Sequence, residues 1–127
     1  MLNELRTYIL SDATIGGLIG SRFYPNTAPQ NPTKPYCTYQ PISEFRTPTM
    51  RHDDNLPSAR VQIDCWSTSV DQARAVADAI RSLFHYYERN SISGVQGVFA
   101  DNGFEQYEPE TLLHRVSRDF IIHYAEA

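Results

Sequence analysis

Lysine is almost missing from this chain: Lys34 stands alone beside ten arginines. With a net charge of −4 and its arginines scattered, the chain lacks the clustered cations that phosphate contacts require, so no specific nucleic-acid binding is expected. The bias toward arginine suits protein–protein contacts, where a planar guanidinium pairs and stacks, although a biased codon supply produces the same count. Long apolar runs are absent too. Nothing approaches the ~18 residues of a membrane span, so no membrane association is expected. The start, Met1-Leu2-Asn3-Glu4-Leu5-Arg6, has no basic stretch followed by an apolar one, which predicts no signal peptide and a chain that stays in the cytoplasm where it is made. Cysteine is sparse. Cys37 and Cys65 lie in apolar-patterned segments without a C-x-x-C, which removes zinc-ribbon and thioredoxin-type readings and leaves buried free thiols as the expectation.

Catalytic signatures are missing as well. There is no G-x-S-x-G elbow, no phosphate loop and no dinucleotide fingerprint; Gly16-Gly17 follows a helix pattern rather than a strand. The four histidines do not converge. His114 and His123 are an odd number of positions apart on one predicted strand and so point to opposite faces. His85 belongs to the polar face of a helix, and His52 beside Asp53 and Asp54 reads as solvated loop charge rather than a metal site. Asp64 and Asp119 sit on two predicted strands and could share a site of the nuclease type. A two-metal nuclease needs further acidic ligands, and its restriction-type version a nearby lysine, whereas Lys34 falls on a proline-rich segment far from both strands. No catalytic residue, metal site or cofactor is assigned.

The 127 residues suffice for one core, since a chain of this size buries roughly two-thirds of the surface exposed when unfolded. Leu2, Leu5 and Ile9 share a helical face, and Ser11 and Asp12 can cap a short turn over residues 13–18 that the glycines at 16, 17 and 20 weaken and end. Arg22-Phe23-Tyr24 is a short extended piece. Pro25, Pro29, Pro32 and Pro35 make residues 25–35 an extended surface arm, which can be an idle connection or can lie across a neighbouring subunit. Residues 36–45 alternate as a strand. On residues 59–66, Val61, Ile63 and Cys65 face one way and Arg60, Gln62, Asp64 and Trp66 the other. Between them, residues 46–58 are polar and rich in turn formers, and read as a long loop of the kind that is functional or mobile.

The strongest local signal is a helix of about 18 residues, roughly 27 Å long, over residues 70–87. Ser69 and Gln72 form a capping box at its start. Val70, Ala73, Val76, Ala77, Ile80, Leu83, Phe84 and Tyr87 recur on one face, and Asp71, Arg74, Asp78, Arg81 and His85 on the other. Residues 95–104 read as a strand interrupted or turned at Asp101-Asn102-Gly103, and residues 105–110 as an acidic connection. Residues 112–124 form the last strand, with Val116, Phe120, Ile122 and Tyr124 on one face. The expected fold is α+β: an antiparallel sheet of about four strands, one long helix on one face, and short N-terminal helices, all in one domain over residues 1–127. The aromatic surplus leaves Tyr36, Tyr39, Trp66, Phe99 and Tyr107 on faces that alternation alone does not settle.

Several segments carry a family likeness. They are Arg22-Phe23-Tyr24-Pro25; Pro35-Tyr36-Cys37-Thr38-Tyr39-Gln40; Arg60-Val61-Gln62-Ile63-Asp64-Cys65-Trp66; the Ala-rich helix over residues 73–83; Val95-Gln96-Gly97; Tyr107-Glu108-Pro109-Glu110-Thr111; and Arg115-Val116-Ser117-Arg118-Asp119-Phe120. Together they resemble the tail-completion (tail-terminator) family of long-tailed bacteriophages and gene-transfer particles, over nearly the whole chain. The resemblance implies a structural virion protein without an active site, made in the host cytoplasm and placed at the head-proximal end of the tail. It further implies a homohexameric ring that docks on the last ring of the major tail tube protein, stops tube growth and presents a surface to the head-side connector or stopper protein. Arg118 departs from the pattern, occupying an alternation slot where an aliphatic residue is expected. For a subunit completed against its neighbours, the loop residues Arg46, Arg51, His52, Asp53 and Asp54 are the expected protein interface.

Overall fold

The computed structural model describes residues 2–30, 32–48, 55–88, 91–92 and 94–124, and the backbone alone at residues 2, 44–48 and 55–57. Three helices and five strands follow one another as α1 (Leu2–Leu10), α2 (Ala13–Ile19), β1 (Phe23–Pro25), β2 (Tyr36–Pro48), β3 (Asn55–Ser67), α3 (Val70–His85), β4 (Val95–Glu108) and β5 (Leu113–Tyr124). They build one five-stranded sheet in the order β1-β2-β3-β5-β4.

The helices form where capping and periodicity place them. Asp12 caps α2 by accepting from the amides of Thr14 and Ile15 at 2.9 and 3.1 Å, and Ser69 caps α3 by accepting from Gln72 N at 3.4 Å. Gly20, at φ 60°, ends α2 in the left-handed region that a side chain rarely adopts. Leu5 and Ile9 of α1, Ile15 and Ile19 of α2, and Ala73, Val76, Ala77, Ile80 and Phe84 of α3 are all buried. They meet Cys37, Tyr39, Val61, Ile63, Cys65, Val116, Phe120 and Ile122 from the sheet in one core. Tyr39 is thereby assigned to the core, its ring 4.9 Å from that of Phe23.

Three expectations are corrected. The sheet has five strands rather than about four and is mixed rather than antiparallel, because β1 pairs in parallel with the start of β2 (Phe23 with Cys37, Tyr24 with Thr38). The proline arm carries the chain back along the sheet between them, and a parallel pair requires such a crossover. The predicted loop over residues 46–58 is shorter: β2 and β3 pair as far as Pro48 with Asn55, so Arg46 lies in β2 opposite Pro57. Pairing of backbone amides and carbonyls tolerates the polar side chains that read as loop. The residues between Pro48 and Asn55, with Arg51, His52, Asp53 and Asp54 among them, lie outside the described residues. Finally, the acidic connection over residues 105–110 is mostly strand. β4 runs unbroken to Glu108, and the interruption at residues 101–103 is a bulge between Ala100 and Gly103, not a turn. Gly103 is required there: a Cβ would stand 2.9 Å from the Ser117 carbonyl and 3.0 Å from the Arg118 side chain.

A second register shift lies between Pro41 and Ser43. Proline cannot donate to the ladder, and the bulge absorbs the missing donor.

Candidate functional site, the open face of the sheet

The core helices cover one face of the sheet. The other presents Tyr36, Thr38 and Gln40 from β2, Arg60, Gln62, Asp64 and Trp66 from β3, Arg115, Ser117, Asp119 and His123 from β5, and Phe99, Phe104 and Gln106 from β4. Period-two alternation on β3 and β5 dictates this partition, and the cross-strand register sets who meets whom.

A row of rings and one guanidinium crosses the full width of this face, one residue per strand in spatial order. The Tyr24 ring lies 6.3 Å from Tyr36, and Tyr36 stacks on Trp66 at 6.1 Å with planes 12° apart. The Arg115 guanidinium lies 5.4 Å from the Trp66 ring and 5.2 Å from Phe104. Tyr36–Trp66 and Trp66–Arg115 are direct cross-strand partners; Tyr24 and Phe104 join on the diagonals. Residues 26–28, the start of the proline arm, close one side of a groove of about 270 Å³ over this row, floored by Tyr36, Thr38, Asp64, Trp66 and Arg115.

Beside the row lies a polar network. Trp66 Nε1 donates to Thr38 Oγ1 at 3.2 Å, and Gln62 Nε2 donates to Asp64 Oδ1 at 2.9 Å, while the Ser117 hydroxyl donates to the same oxygen. Arg115 also donates to the Gln106 side-chain oxygen. Arg60 pairs with Asp101, which the β4 bulge presents, and reaches Asp119 at 3.5 Å. Ser58 Oγ and His123 Nδ1 share a hydrogen bond of 2.6 Å. Thr38, Ser58, Asp64 and Ser117 are buried although no helix lies over them. Long side chains laid flat across the sheet cover them.

Asp64 and Asp119 do share this face, as expected, but each belongs to a different hydrogen-bond set. Burial pushes the Asp119 carboxyl above its ordinary range, and Arg60 pulls it back. Its Oδ1 and the Nε of Arg115 are buried without a hydrogen-bond partner among the described residues. Among the described residues, no group of three or more His, Cys, Asp or Glu is placed to hold a metal. His114 and His123 point to opposite faces, and His85 is exposed. A further hollow of about 480 Å³ between the end of α3 and the start of β4 is lined by Arg81, Phe84, His85 and Phe99 among others, without a convergent set of catalytic groups.

Arg118 resolves its conflict with the core pattern by pairing. It lies on the helix-covered face opposite Ile63, and its guanidinium turns to the Asp78 carboxylate of α3 at 3.8 Å. Arg74 of α3 makes a two-pronged contact with Glu105 of β4, at 2.8 and 2.7 Å. Arg22 caps carbonyls of Pro35 and Leu18, and Arg6 those of Phe23 and Ser21. The arginine bias thus serves internal contacts that a lysine would make less well.

Of the predicted interface, Arg46 is placed in the β2 backbone, and the other members fall outside the described residues. Sequence reasoning missed the row on the open face. Tyr36, Trp66 and Arg115 were visible as residues, but only the register aligns them.

The family described as Tail completion protein gp17 matches this sequence over residues 3–125. A solved chain from the structure titled "Virion of native gene transfer agent (GTA) particle" has the same fold, with a TM-score of 0.67, 13% identity, and coverage of 98% of this chain and 97% of that one. Among curated proteins none matches. The family match covers all but the first residue of the described helices and strands, and this chain belongs to the tail-completion family of gp17.

Proposed function

We propose that this protein is a ring-forming tail terminator, a subunit that caps the tail tube and presents a surface to the head-side connector. Its family makes it a structural component of a phage-type tail, associated with other tail or head proteins. The observation that carries the finer reading is a sheet built to be continued. Among the described residues β4, fourteen residues long, has a neighbour on one side only, and β2 beyond Tyr39 has none on its outer side. Such edges normally receive a partner or a defence. Identical subunits joined head to tail close into a ring when the rotation permits, and the resemblance of the sequence makes the hexamer the expected number. The hairpin of β2 and β3 extends past the end of β5, since Ser58 is the last β3 residue paired to it. We assign the contact with a neighbouring subunit or the last tube ring to this end of the β2–β3 pair, through Arg46 and through Arg51, His52, Asp53 and Asp54 of the sequence that joins the two strands.

The test is complementation of a deletion by Arg46→Glu/Arg51→Glu, with particles viewed by electron microscopy and the protein weighed by native mass spectrometry. Tails of irregular length or unjoined heads are expected. Normal tails and infectious yield would remove the contact role of the hairpin, and a monomer within assembled particles, or a location at the distal tip, would remove the terminator reading.

A further inference from the structure

We infer that the groove over the aromatic row on the open face is a docking site for the proline arm of a second copy of this chain, which seats Pro29 and Pro32 on Tyr36 and Trp66 and brings Lys34 toward Glu108. This rests on the proposed ring, in which each subunit has a neighbour to receive or to supply the arm.

The receiving surface has the chemistry of a polyproline groove. Two stacked aromatic planes, Tyr36 and Trp66, lie in a groove of about 270 Å³. Aromatic-lined grooves take proline-rich segments because a preformed extended helix loses little entropy on binding. Outside the lining, Glu108 lies near enough to add to the effect of burial in pushing the Tyr36 hydroxyl above its ordinary range, while the floor carries Asp64 and Arg115. A groove whose lining balances Asp64 with Arg115 and holds no cluster of cations, in a chain of net charge −4, does not suit a phosphate backbone.

The arm supplies the complement. Pro29, Pro32 and Pro35 recur every third residue, the period of a polyproline helix, which places Pro29 and Pro32 on one side. Pro29 is exposed and Pro32 half-buried, whereas Pro35 is buried at the start of β2. Lys34, the only lysine of the chain, is exposed and makes no ion pair with any described residue. Asn26 and Thr27 already line the groove of their own subunit, and Pro35 is held by Arg22 donating to its carbonyl at 2.9 Å. With both ends of the arm held, exposed Pro29 and half-buried Pro32 are left for a neighbour to reach.

Trp66 is the only tryptophan and therefore reports on its own groove. The experiment titrates the full-length protein with a synthetic peptide of residues 26–35 and follows Trp66 emission. A saturable change is expected, with binding about tenfold weaker for the peptide carrying Pro29→Ala and Pro32→Ala, and also for the one carrying Lys34→Glu, as for loss of an anchor contact. In the full chain, Pro29→Ala/Pro32→Ala alters no fully buried residue, so the variant should melt as the wild type does and associate less by native mass spectrometry. An unresponsive Trp66 at millimolar peptide, equal binding of the altered peptides, or a response to a single-stranded oligonucleotide instead would overturn the inference. Rings formed by the variant as readily as by the wild type would overturn it while leaving the terminator reading intact. A wild type that forms no ring in particles would overturn that reading, and the peptide titration would still decide the groove.

Discussion

Cys37 and Cys65 face each other across β2 and β3, their sulfurs 3.3 Å apart and both fully buried in the core. Both are free thiols. Burial pushes the Cys37 thiol well up, and the neighbouring Cys65 and the Asp64 carboxylate push it further. With both sulfurs shut off from solvent, neither residue should react with a disulfide reagent in the native protein at pH 8. Both should react after denaturation in urea. Fast native labelling of either thiol would contradict this packing.

Phe120 of β5 lies beneath α3 with its ring 5.3 Å from that of Phe84 and is 1% exposed. Truncation to alanine should cost about 3–5 kcal/mol. Denaturant titration measures it, and a loss below about 1 kcal/mol would mean that the site collapses far more completely than buried aromatic sites do.

Gly103 at the β4 bulge has no room for a methyl group, with the Ser117 carbonyl 2.9 Å from where Cβ would stand. Gly103→Ala should destabilise by about 1–3 kcal/mol, as overpacking does. The same change at Gly17, where nothing lies within 4 Å, is the control and should be neutral or stabilising.

The Arg74–Glu105 contact should make stability depend on pH in the acid range. Hydrogen bonding to Arg74 holds the Glu105 carboxyl below its ordinary range. A carboxyl lowered in the folded state contributes stability that is fully present above its unfolded value and is lost as pH falls through the folded one. Glu105→Gln should therefore lower Tm at pH 7, and the difference from the wild type should close on acidification toward pH 3. A difference that persists at acid pH would assign the effect to packing.

Asp119 has the opposite sign. Burial raises its carboxyl despite Arg60, so its ionisation costs stability as pH rises through the folded value. With Oδ1 buried and unpaired, Asp119→Asn should leave stability at pH 7 unchanged or raise it by up to about 1 kcal/mol. A clear loss, measured by urea midpoint, would show that the contact with Arg60 outweighs the desolvation.

What the sequence determined by itself is whatever repeats locally. The period of 3.6 over α3, its Ser69 cap, the inward set Val61, Ile63 and Cys65 on β3, and the face of Val116, Phe120 and Ile122 on β5 all stand as read. So does the family, whose segments run the length of the chain. Each of these rests on neighbours in sequence, where capping, side-chain direction and burial act within a few residues. Only the tertiary structure decided the rest. Three residues of β1 carry too little pattern to announce a strand, and become one by lying parallel to β2. Residues 46–48 and 55–58 read as loop because turn formers dominate, yet two chains with free amides pair there regardless of side chain. Asp101-Asn102-Gly103 looks like a turn, and is a bulge because β5 continues past it on both sides. Arg118 violates the core pattern until α3 brings Asp78 to it. Tyr24, Tyr36, Trp66, Arg115 and Phe104 are separated by up to 91 positions, the interval from 24 to 115, and form one row only through strand order and register. Alternation tells a side chain which face to take; pairing between distant strands tells it whom to meet.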